Sequence, residues 1–120
     1  MAQHYRKRIY RINRLKKLVA STTLGDVAWN ASLLKGDIAE ELAALKSQDG
    51  GHIMKYGVTA LDRTLLDHKL VDEYDLWIMP TRVGQGKRAL ADIEADKLDL
   101  ELVRTHRFAN GVMALTYHPR

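Results

Sequence analysis

Apolar and polar positions follow two different periods along this chain, and each change of period marks an element. Ile38, Leu42 and Leu45 recur at i, i+4 and i+7, which predicts a helix. Asp37 stands at its N-cap with Glu40 at the third helical position, an Asp form of the capping box, and Gly50-Gly51 stop it. His52 to Tyr56 reads as a short strand that runs through Gly57 into a second helix ending near His68. That helix has Thr59 and Asp62 as a cap pair and Leu61, Leu65 and Leu66 as its apolar stripe. From Leu70 to Met79 the period drops to two. Tyr74, Leu76 and Ile78 share one side, Asp75, Trp77 and Met79 the other, and Pro80 closes the strand.

The flanking regions are read by composition and turn chemistry. Leu18 to Thr23 has the β-branched content of a strand. Asp26 to Lys35, with Trp29 and Asn30, reads as a loop, and Val83 to Lys87 as a glycine-punctuated one. Leu100 to Phe108 and Val112 to His118 flank Asn110-Gly111, which predicts a hairpin with a type I′ turn. Tyr5, Ile9, Ile12 and Leu15 mark a short amphipathic helix in a lead without clean period. The order is β-α-β-α-β and then a hairpin: an α/β fold with a mixed sheet and flanking helices.

Composition narrows the class. A chain of 120 residues with 46% apolar and 28% charged residues is one ordinary globular domain. No apolar run approaches the ~20 residues that cross a bilayer, and no secretory signal precedes Val19 to Leu24, so no membrane partner is expected. Cysteine is absent, which removes disulfides and thiolate metal sites and fits a cytoplasmic location. The net charge of +4 is unevenly placed. Residues 1–17 hold seven Lys and Arg and no acid, so the remainder, 18–120, carries 12 basic residues against 15 acids, a net −3. We read 1–17 as a basic lead and 18–120 as the folded domain. That distribution gives no broad nucleic-acid face.

Chemistry concentrates at one place. A glycine between a strand and a helix start lets backbone N–H groups approach an anion, and the helix dipole favours it there. The plain alternative is an ordinary strand-to-helix turn. His4, His52, His68, His106 and His118 show no i, i+4 pair, so no metal site is expected. No serine sits in a nucleophile elbow. Asp72 and Glu73 mark a strand entrance, with Asp75 facing solvent.

Taken together, several segments form a family pattern: Leu18-Val19-Ala20-Ser21, Trp29-Asn30, Leu34-Lys35-Gly36-Asp37, Gly50-Gly51 before Tyr56-Gly57, Leu65-Leu66, Leu70-Val71-Asp72-Glu73, Gly84-Gln85-Gly86-Lys87-Arg88 and Gly111-Val112. From about Ile12 to Tyr117 the chain resembles the C-terminal reductase domain of the riboflavin-biosynthesis deaminase–reductase, in its stand-alone dihydrofolate reductase family form. The resemblance implies a dihydrofolate-reductase-like fold and an NADPH-dependent reductase, 5-amino-6-(5-phosphoribosylamino)uracil reductase-like, acting on a small heterocyclic substrate. It places Tyr56, Gly57, Val58, Thr59 and Ala60 at the cofactor's pyrophosphate, and Ser21 and Thr22 beside its 2′-phosphate. The Gly84–Arg88 loop would border the active site.

Two departures accompany the match. Val58 stands where the family has a small Ser or Gly. The family's first strands, with the segment that contacts substrate, have no counterpart, so no catalytic residue is assigned and a truncated or split domain is expected. Removing a central strand would leave unpaired sheet edges, so the alternative function is a non-catalytic interaction module, a homo-oligomer such as a dimer. Ser21 and Thr22 read equally as strand-end residues, and Gly84–Arg88 as a connector. Tyr5 and Tyr10 among the basic residues keep RNA stacking as a minor third reading.

Overall fold

The computed structural model describes residues 9–90 and 98–120. The chain divides into two compact units, Met1–Gln48 and Asp49–Arg120.

In the first unit residues 9–14 are helical (α1), followed by β1 (Lys17–Ala20), β2 (Ala31–Leu34) and α2 (Ile38–Lys46). The Lys17 ammonium closes α1, donating to the carbonyls of Ile12 (2.8 Å), Asn13 (3.4 Å) and Leu15 (2.9 Å), where a cation meets unpaired helix-end oxygens. β1 and β2 pair in parallel from Lys17↔Ala31 to Ala20↔Leu34. Reading Asp26 to Lys35 as a loop is therefore corrected: Ala31–Leu34 is a strand. Its partner lies across the 21–30 connection, and no local period announces such a pairing. The cap of α2 is as expected, with Asp37 Oδ1 accepting from the Glu40 N–H at 3.0 Å. Glu41 reaches back, its Oε1 accepting from Gly36 N–H at 2.6 Å. The helix stops before Gly50-Gly51 because Ser47 caps it, donating its N–H to Ala43 and its hydroxyl to the Ala44 carbonyl at 2.7 Å.

The second unit contains α3 (Leu61–Asp67), β3 (Tyr74–Ile78), β4 (Leu100–Arg107) and β5 (Met113–Pro119). The three strands form an antiparallel sheet in the order β3-β5-β4. Among the described residues parallel and antiparallel pairing thus both occur, but in two separate sheets rather than in the one mixed sheet expected. The expected strand His52 to Tyr56 does not form. Among the described residues no strand pairs with it, and Ile53, Met54 and Tyr56 are exposed at 49%, 69% and 84%. Strand propensity describes fit to a sheet surface, and here no sheet surface receives it.

α3 ends in a Schellman arrangement. Lys69, at φ 52, donates to Leu66 O, and Leu70 N–H reaches Leu65 O at 2.8 Å. The hairpin between β4 and β5 is present, but its turn is not type I′, since only Gly111, at φ 89, takes positive φ. Gly111 N–H bonds Phe108 O at 3.0 Å and Phe108 N–H bonds Val112 O at 2.9 Å. That is the three-residue hairpin loop with a left-handed glycine closing it. The buried apolar residues here are Leu65, Tyr74, Val112 and Ala114. On one sheet face Thr116, 3% exposed, donates to Asp75 Oδ1 at 2.6 Å and lies 3.3 Å from the Arg104 guanidinium.

Candidate functional site

The turn ahead of α3 is built around Gly57, whose φ of 74 and open surroundings, with no neighbouring atom within 4 Å of where a side chain would begin, leave the backbone approachable. Left-handed backbone at this position favours glycine on its own account. Val58, half exposed at 48%, and the exposed Thr59 and Ala60 complete the turn. Among the described residues, the N–H groups of Gly57, Val58 and Ala60 meet no acceptor.

Thr59 differs. Its N–H donates to Asp62 Oδ2 at 2.6 Å, so a carboxylate in the first turn of α3 reaches back to the backbone just ahead of the helix, as in a capping box. Asp62 is 7% exposed and holds an ion pair with Lys55, Nζ to Oδ2 at 2.8 Å. The same ammonium donates to Gly57 O at 2.6 Å. The turn therefore already contains one negative charge of its own, neutralised by one positive charge.

Tyr74 lies close to this pair. Among the described residues its buried hydroxyl has no hydrogen-bond partner. Burial, and then the Asp62 carboxylate, push the phenol up from 10.0 to about 12. The folded state thus holds its proton in a range where the unfolded chain releases it. Stability from this group is intact below pH ~10 and falls as pH rises through about 12. A Tyr74→Phe variant is expected to lose that alkaline limb in urea denaturation run from pH 8 to 11.5. At pH 8 it is expected to be at least as stable as the parent, because it deletes an unsatisfied buried hydroxyl.

The other predicted residues lie in the first unit. Ser21 follows β1 directly. Its Oγ accepts from the N–H groups of Thr23 (3.2 Å) and Leu24 (3.1 Å) and lies 3.4 Å from Thr23 Oγ1, so it builds the local turn as a strand-end serine does. Thr22 is exposed. A cleft of about 390 Å³ in the second unit is lined by Leu66, Lys69, Asp72, Asp99 and His118 among others, and contains none of the predicted site residues.

Against a dinucleotide's charged linker, the backbone of the turn fits: a left-handed glycine and three N–H groups without an acceptor among the described residues lie in an exposed turn. The Asp62 charge partly offsets that fit. Sequence reading found Asp62 as a cap but missed its burial, and it missed Lys55 altogether. The only local signal for Lys55 is a lysine two residues before the glycine.

Comparison with known proteins bears on the same segments. The chain is 34% identical to the protein YyaP of Bacillus subtilis (strain 168) over 107 residues, 89% of this chain and 56% of that protein. It therefore spans little more than half the length of this relative. The crystal structure of a "Putative riboflavin biosynthesis protein" from Shewanella sp. PV-4 superposes with a TM-score of 0.63 at 17% identity, covering 98% of this chain and 71% of that one. The two share a fold, and it is the α/β, dihydrofolate-reductase-like one expected. The RibD C-terminal domain model matches residues 4–114, a span that takes in both units and the glycine turn, and the chain accordingly belongs to the RibD C-terminal domain family.

Proposed function

We propose that the chain holds NADPH at the Gly57–Ala60 turn and serves as the cofactor-binding part of a reductase that acts on a small heterocycle of the riboflavin-precursor type. The observation that carries the reading is the left-handed, uncrowded backbone at Gly57, in a turn whose Gly57, Val58 and Ala60 N–H groups meet no acceptor among the described residues. Membership of the RibD C-terminal domain family supports it. When bound, NADPH supplies a hydride, and the protein supplies orientation and electrostatics. Gly57, Val58 and Ala60 would donate backbone N–H groups to the linker, while Lys55 neutralises Asp62 beside it.

NADPH fluorescence during titration with the purified chain tests this. Saturable binding that Gly57→Asp abolishes is expected, because a carboxylate placed on a left-handed backbone both strains the turn and repels the linker.

A second reading has its own observation. β3 has no strand on its outer edge among the described residues, and Trp77, Ile78 and Met79 are 55%, 56% and 49% exposed. Exposed apolar edges recruit partner strands. A stable dimer by light scattering, with no cofactor uptake at millimolar NADPH, would favour an interaction module over a reductase.

A further inference from the structure

Trp29 is held in a backbone conformation that tryptophan rarely adopts, with φ 62, and Asn30 follows at φ 52. Asparagine tolerates this region, whereas a bulky aromatic there is an outlier. Strain of this kind persists where surrounding contacts over-determine it, and such residues gather at ligand clamps.

The contacts around Trp29 fix its ring. The indole Nε1 donates to Asn13 Oδ1 at 2.8 Å. The Lys17 ammonium lies 4.3 Å from the ring centroid, held in place by three carbonyls at the end of α1. Asn30 Nδ2 donates to the carbonyls of Arg14 and Leu15, both at 3.1 Å. Burial is not what holds the residue, since Trp29 remains 61% exposed. The ring is therefore fixed by its edge and by one face, and the other face is presented to solvent.

We propose that the free face of Trp29 is a stacking platform for a planar heteroaromatic ring. A cation on one side draws π density toward itself. The outer face is thereby better matched to a neutral, electron-rich ring than to a second cation. Two sources share that chemistry: the adenine end of a dinucleotide, and the ring of a small heterocyclic substrate. The inference stands on Trp29 and its partners and does not depend on the Gly57 turn.

The test uses the full chain carrying Trp77→Phe, which leaves Trp29 as its single tryptophan. Indole fluorescence is followed during titration with adenosine monophosphate, 5-aminouracil and, as a ring-free control, ribose 5-phosphate. Saturable quenching by at least one ring compound and none by the control is expected. Adenosine monophosphate alone assigns the face to a nucleotide, and 5-aminouracil alone to a substrate ring. Ligand-observed NMR then reads the variants. Trp29→Leu is expected to weaken binding about 5- to 150-fold, the range for loss of a base–aromatic stack. Trp29→Phe keeps an aromatic face, covers the case in which the leucine variant does not fold, and is expected to retain binding. Quenching that rises linearly with every ring compound overturns the proposal. So does binding that survives Trp29→Leu or vanishes in a folded Trp29→Phe, and so does saturation by decauridylate alone.

Discussion

A Lys55→Met variant is expected to lose about 3 kcal/mol of folding stability, the low end of what removing one partner of a buried ion pair costs. The size follows from asymmetric burial: the Asp62 side chain is 10% exposed and that of Lys55 27%. Methionine fills similar volume, but among the described residues it leaves the carboxylate with the Thr59 N–H at 2.6 Å as its remaining partner. The unpaired buried charge, rather than lost packing, sets the cost. Urea denaturation followed by circular dichroism measures it. The double variant Lys55→Met/Asp62→Asn should recover at least half of the loss, because it removes the stranded charge as well. A single-variant loss under about 1 kcal/mol would mean the pair behaves as a solvated surface contact.

Asp62→Asn is expected to tighten NADPH binding about tenfold at low salt. The amide oxygen can still accept from Thr59, so the turn keeps its shape, while its one negative charge disappears and Lys55 is released toward an incoming phosphate. A like-charged pair within ~5 Å costs roughly 1–3 kcal/mol over the usual range of screening, and each 1.4 kcal/mol is a factor of ten. The advantage should shrink as ionic strength rises. Fluorescence titrations at two salt concentrations read both effects. Weaker binding by a folded Asp62→Asn chain would mean that the carboxylate positions the turn more than it repels the cofactor.

What the sequence made legible, and what it hid, divides along local against non-local interactions. The cap of α2 was readable because Asp37 and Glu40 are three residues apart and their bond is local. The hairpin was readable from Asn110-Gly111, although the turn type was not. Both hairpin families use that dipeptide, and the Phe108–Val112 pairing selects the three-residue loop. β2 was missed because its partner is β1, across a connection whose length predicts nothing about pairing. His52 to Tyr56 looked like a strand because its residues suit one, yet a strand requires a neighbour, and none of the described residues provides it.

The candidate site shows the same division. Gly57 could be picked out by its place before a helix, and Asp62 by its cap spacing. Neither periodicity nor composition carries the 2.8 Å contact with Lys55, which depends on how the chain folds back over seven positions. Trp29 and Asn30 matched a family pattern as letters, while the left-handed backbone that holds the indole appears only in three dimensions.

Backbone amide shifts of the ¹⁵N-labelled chain, followed during NADPH titration, test the central claim most directly. The account predicts saturable movement of the Gly57, Val58 and Ala60 amides, absent from the Gly57→Asp variant. Uptake of NADPH with those amides unmoved, or no uptake at millimolar cofactor, would contradict it.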